Sequence, residues 1–83
     1  KVQLAASSKK LSLEPYNFKG LTDVSRKMEG KLYKYYYGET SDYNKIQLMK
    51  KYAKEKGYDS CYIVVFKDGE KLKLSEVLNS INN

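Results

Sequence analysis

The stretch Leu32-Tyr33-Lys34-Tyr35-Tyr36-Tyr37-Gly38 constrains the fold more than any other part of the chain. Four of its seven residues are tyrosine, and a glycine ends the run. Aromatic side chains lose rotamer freedom in a helix and pack well on a pleated surface, so the segment predicts a strand. Successive side chains of a strand point to opposite faces. Tyr33, Tyr35 and Tyr37 then share one face, expected to be core with hydroxyls reaching its rim. Leu32, Lys34 and Tyr36 share the other. An ammonium, a phenol and an apolar group side by side suit a polymer with hydroxyls, flat apolar faces or anionic groups.

The rest of the composition narrows the function. Eighty-three residues make one small domain. The chain opens on strand-like Lys1-Val2-Gln3-Leu4-Ala5, so residues 1–83 are expected to be a single domain cut from a longer protein. No stretch is long and apolar enough to predict a membrane span, and no secretory signal is visible. A formal net charge of +6 favours anionic partners. Arg26 is the sole arginine among sixteen basic residues, which weakens the case for base readout and bidentate phosphate clamps. With no histidine, the usual general base and the commonest metal ligand are missing. Cys61 has no partner for an internal disulfide. It opens the apolar run Cys61-Tyr62-Ile63-Val64-Val65-Phe66, where a buried small hydrophobe is expected. Glu39, Asp42 and Glu55 are the carboxylates near the end of the tyrosine strand, and nothing in their spacing pairs them. No catalysis, cofactor or metal is expected.

Along the chain, residues 1–7 read as a strand and Ser7-Ser8-Lys9-Lys10 as a polar turn. Pro15 argues against a helix interior. Asn17 is a candidate cap for a short helix from Phe18 to about Asp23, weakened by Gly20. Val24 to Glu29 predicts a strand joined to the tyrosine strand by a tight turn at Glu29-Gly30-Lys31. Ser41 or Asp42 caps a helix that reaches Lys56, with Ile46, Met49 and Ala53 at helical spacing and Gly57 just past its end. Cys61 to Lys67 is a strand, and Asp68-Gly69 a hairpin-type turn. Lys71 to Leu74 is a short extension, and Ser75 to Leu78 begins a terminal helix. The order strand, helix, strand, strand, helix, strand is the split βαβ arrangement of ferredoxin-like and RNP-like folds. The expected fold is therefore α+β: a four-stranded antiparallel sheet with helices on one face and the other face free.

Three segments together resemble the SPOR domain. They are Val2-Gln3-Leu4-Ala5-Ala6-Ser7, Leu32-Tyr33-Lys34-Tyr35-Tyr36-Tyr37-Gly38, and the run Ala53-Lys54-Glu55-Lys56-Gly57-Tyr58-Asp59-Ser60-Cys61-Tyr62-Ile63-Val64. Residues 24–73 look most like SPOR domains appended to N-acetylmuramoyl-L-alanine amidases. The chain departs from the family pattern in its first helix, interrupted by Pro15 and Gly20. It departs again at Ala6, where relatives often carry serine and where the hydroxyls here come later, at Ser7 and Ser8. The resemblance implies a non-catalytic module of the cell envelope or periplasm that binds peptidoglycan, prefers glycan strands stripped of stem peptides, and targets a parent cell-wall enzyme or division protein.

On that reading the glycan contacts are Gln3, Ser7, Ser8, Leu32, Lys34, Tyr36 and Tyr62. Gln3 can donate and accept hydrogen bonds, Lys34 can meet a lactyl carboxylate, and the two phenols can lie against sugar rings. Val64 and Phe66 share the face of Tyr62. The partner is a peptidoglycan glycan strand; no nucleic acid is expected, and the domain is expected to be a monomer. Two alternatives use the same fold. An RRM-like module would stack single-stranded bases on the free sheet, although no RNP1-like run is present. A protein adaptor would use the sheet face or an edge strand.

Overall fold

The computed structural model describes residues 1–73, with the side chain of Lys73 left aside. The expected terminal helix from Ser75 lies outside these residues. In chain order the elements are β1 (Val2–Ser7), a 3₁₀ turn (Pro15–Phe18), β2 (Val24–Glu29), β3 (Leu32–Tyr37), α1 (Tyr43–Glu55), β4 (Tyr62–Lys67) and β5 (Glu70–Lys73). The fold is α+β, with one α-helix among the described residues. Its antiparallel sheet runs in the order β2-β3-β1-β4-β5. The first four strands stand in an order compatible with the ferredoxin-like arrangement. The sheet has five strands rather than the expected four. Asp68 and Gly69 both take positive φ (53° and 81°), as a two-residue type I′ turn requires, and this folds Glu70–Lys73 back onto β4.

The first helix also differs from expectation. Pro15, with φ preset, starts a 3₁₀ turn that ends at Phe18. Lys19, Gly20 and Asp23 all have positive φ, so the predicted helix from Phe18 to Asp23 cannot form. Asn17 does not cap it; its side-chain amide donates to the carbonyl and hydroxyl of Ser12. The chain between β1 and β2 is instead a strap over the β2–β3 half of the sheet. The Tyr35 hydroxyl accepts from the Leu11 N–H (2.7 Å) and donates to the Lys9 carbonyl (3.1 Å). Arg26 donates to the Leu11 carbonyl at 2.7 Å. The chain's one arginine thus holds a loop.

α1 follows its sequence signals closely. The Asp42 carboxylate accepts from the Lys45 N–H, and Gly57 beyond the end has φ 112°. The Gly57 N–H bonds the Lys54 carbonyl and the Tyr58 N–H that of Ala53, the paired bonds of a Schellman cap. Ile46 and Ala53 of α1 join Val2, Leu4, Phe18, Leu21, Tyr35, Cys61 and Ile63 in the core, with Tyr33 and Tyr37 packed against it. Phe18 meets Tyr35 at a ring separation of 5.2 Å. The parity expected for the tyrosine strand holds: Tyr33, Tyr35 and Tyr37 take the helix side.

Candidate functional site: the sheet face opposite the helix

Strand parity assembles this face, and a bulge modifies it. β1 and β3 pair as Gln3↔Tyr36, then Ala5↔Tyr35, so Leu4 is an extra residue on β1. Before the bulge, Gln3 lies on the face of Tyr36. After it, Ala6 stands opposite Lys34, and Ser7 stands opposite Tyr33. Directly paired residues share a face. Ser7 is therefore on the helix side, contrary to the expected contact role, and its hydroxyl accepts from the Lys9 N–H. Ser8 lies past the strand and exposed. The sequence carries no signal for the bulge, because Gln3-Leu4-Ala5-Ala6 also fits unbroken alternation.

Across the middle of the face run Ser25, Tyr36, Gln3 and Tyr62, one from each of four neighbouring strands. The next row holds Lys27, Lys34 and Ala6. This face is not simply open, as the sequence led us to expect. Tyr36 is only 1% exposed and Gln3 only 6%, and Val64 is buried as well. Tyr36 and Val64 stand apart from the main core cluster. Val64 belongs to the β4–β5 hairpin, which curls over the face from the far edge and covers Tyr36 and Gln3. Phe66 sets its ring edge-on to Tyr36 at 5.3 Å. The Lys71 ammonium donates to the Gln3 side-chain oxygen at 2.8 Å and lies 3.5 Å from the Glu29 carboxylate. Lys27, on the opposite edge strand, reaches the Gly69 carbonyl at 3.5 Å and lies 5.0 Å from the Phe66 ring centre. Among the described residues β2 and β5 are the two outer strands of the sheet, yet their side chains meet.

These contacts make a polar network around one carboxylate. The Tyr36 hydroxyl donates to Glu29 at 2.7 Å. That hydrogen bond is the largest reason the Glu29 carboxyl titrates below its ordinary range, with the Lys71 and Lys34 charges adding to it against desolvation. Burial pushes the Tyr36 phenol well above its usual value, and the hydrogen bond to Glu29 pushes the same way. Gln3 and Tyr36 therefore already have partners within the protein.

What stays accessible is a strip beside the hairpin. Tyr62 is 43% exposed and Leu32 39%, Lys34 is half-buried, and exposed Ala6, opposite Lys34, leaves the sheet floor low beside β3. The structure thus gathers Gln3, Leu32, Lys34, Tyr36 and Tyr62 on one face, leaves Ser7 and Ser8 off it, and presents three of the five to solvent. Sequence reasoning missed Lys27, Glu29 and Lys71. The Asp68-Gly69 turn was a usable signal for Lys71, since a two-residue hairpin sets Lys71 opposite Phe66. Among the described residues no group of three acidic, histidine or cysteine side chains is placed to hold a metal. No helix among them is long and apolar enough to cross a membrane. Comparison with family models, curated proteins and solved structures gives no match to this chain.

Proposed function

We propose that the chain is a SPOR-like, ferredoxin-like module that binds peptidoglycan glycan strands, preferentially those stripped of stem peptides, and carries no catalytic group. The observation that carries this reading is the accessible strip of Leu32, Lys34, Ala6 and Tyr62. A phenol ring free on one side can lie against a sugar ring and still hydrogen-bond through its hydroxyl. Lys34, directly opposite Ala6, adds a compact cation suited to a lactyl carboxylate exposed by peptide removal. The engagement of Arg26 with the Leu11 carbonyl favours glycan over nucleic acid, because it removes the side chain best suited to base edges. A shallow strip with few buried charges implies affinity of about micromolar order.

Retention on peptidoglycan sacculi before and after amidase treatment tests this. Amidase treatment is expected to raise retention; no increase rules out recognition of stripped strands. Tyr62→Ala is expected to weaken binding about fivefold to tenfold, the range of a well-placed aromatic anchor. The thermal midpoint should hardly move, because the side chain is half exposed.

A further inference from the structure

The glycan reading leaves Gln3 and Tyr36 stranded: they lie on the right face, at the middle of the sheet, and under cover. The cover is weakly attached. Among the described residues β4 pairs with β1 at Val2↔Ile63 and Gln3↔Tyr62, and the last bonds to that side join Lys1 and Val64, the Val64 N–H donating to the Lys1 carbonyl at 2.9 Å and the Lys1 amine to the Val64 carbonyl at 3.2 Å, while pairing with β5 runs from Val64 to Lys67. Past Val64 the hairpin is, among the described residues, a two-stranded ribbon, a structure of marginal stability by itself. It is docked by side chains: Phe66 on Tyr36, Lys71 on Gln3 and Glu29, and Lys27 on the Gly69 carbonyl. The ion pair is long and its two side chains remain 24% and 34% exposed. Such pairs hold little.

We propose that the β4–β5 hairpin is a gate over the glycan-binding face, with Lys71 as its latch, and that a bound strand displaces it to reach Gln3 and Tyr36. This rests on the glycan reading. In the closed form the Lys71 ammonium occupies the Gln3 oxygen that a sugar hydroxyl or acetamide N–H would need. Phe66 packs against the Tyr36 ring where a sugar face would have to lie. The hairpin therefore competes with ligand for the same two groups. A ligand that binds only the open form has its apparent affinity lowered by the fraction open, so loosening the latch should tighten binding.

Two measurements on the full chain test the gate, using Lys71→Gln and Glu29→Gln. The first is amide hydrogen exchange of the free protein. The β4–β5 ladder is expected to exchange about threefold faster in each variant, with β1–β3 protection unchanged. Exchange of the ladder only through global unfolding would overturn the gate. The second is affinity for amidase-treated sacculi, expected to rise about threefold in both variants. Equal or weaker binding by variants whose ladder has loosened would mean that the hairpin does not compete with the ligand, and would also overturn the gate. If no form binds, wild type included, the glycan reading itself falls and takes the gate's ligand with it. The exchange data would still decide whether the hairpin opens.

Discussion

Tyr35 and Tyr36 are adjacent, both buried, and bonded through their hydroxyls to different halves of the molecule. Tyr35 holds the Lys9–Leu11 strap on the helix side; Tyr36 holds Glu29 on the other. Tyr35→Phe leaves a backbone donor and a backbone acceptor without partners, and should cost about 1–3 kcal/mol in denaturant unfolding. Tyr36→Phe should cost less, about 0.5–1.5 kcal/mol, because the partly exposed Glu29 can be hydrated instead. Gly38 has φ 74°, is buried, and presents its α-carbon to the Met49 side chain. Gly38→Ala forces both a left-handed alanine and a shift of Met49, and should lower stability by about 1–3 kcal/mol in the same assay. Alternation made the tyrosine parity legible, because β3 pairs without interruption along β2. Ser7, expected on the other face from the resemblance, lies on the helix side because one extra residue at Leu4 reverses every side chain after it.

At the level of elements, legibility followed how local the cause was. α1 and its caps were readable because Asp42, the Ile46 and Ala53 spacing and Gly57 lie within one segment. Asp42→Ala should cost about 1 kcal/mol, read from the thermal midpoint, by leaving the Lys45 N–H without its acceptor. The β2–β3 turn was equally local, with Gly30 supplying positive φ (60°) at its first position. The 3₁₀ strap was not readable. It depends on Lys19 and Asp23 adopting left-handed backbone and on hydrogen bonds from Tyr35 and Arg26, whose strands come later in the chain. The curl of β4–β5 was hidden for a similar reason. Its turn is written in Asp68-Gly69, but its docking uses Lys27, Glu29 and Tyr36 from the other side of the sheet. The candidate site was thus readable as a face and not as a surface open or closed.

For the whole molecule, one buried and two partly buried phenols set an alkaline limit. Desolvation raises Tyr36, Tyr37 and Tyr58 above the ordinary value of 10.0. Groups whose folded pKa is raised contribute stability that is complete below the unfolded value and lost above it. Stability should therefore fall as pH climbs beyond about 10, with these phenols ionising late and together with unfolding in a tyrosinate absorbance titration. Glu29 acts in the opposite sense: its lowered pKa stabilises the fold above its ordinary 4.5 and is lost as acid is added below that. The meeting of the two sheet edges also has a kinetic consequence. Glu29 and Lys71 are 42 positions apart, whereas β2 and β3 are joined by a tight turn. Closing the longer loop costs more entropy, so the β2–β3 hairpin should form early and the edge-to-edge docking last. Stopped-flow measurements on Lys71→Gln should then show faster unfolding with a nearly unchanged refolding rate, which marks this contact as the first to break when the protein comes apart.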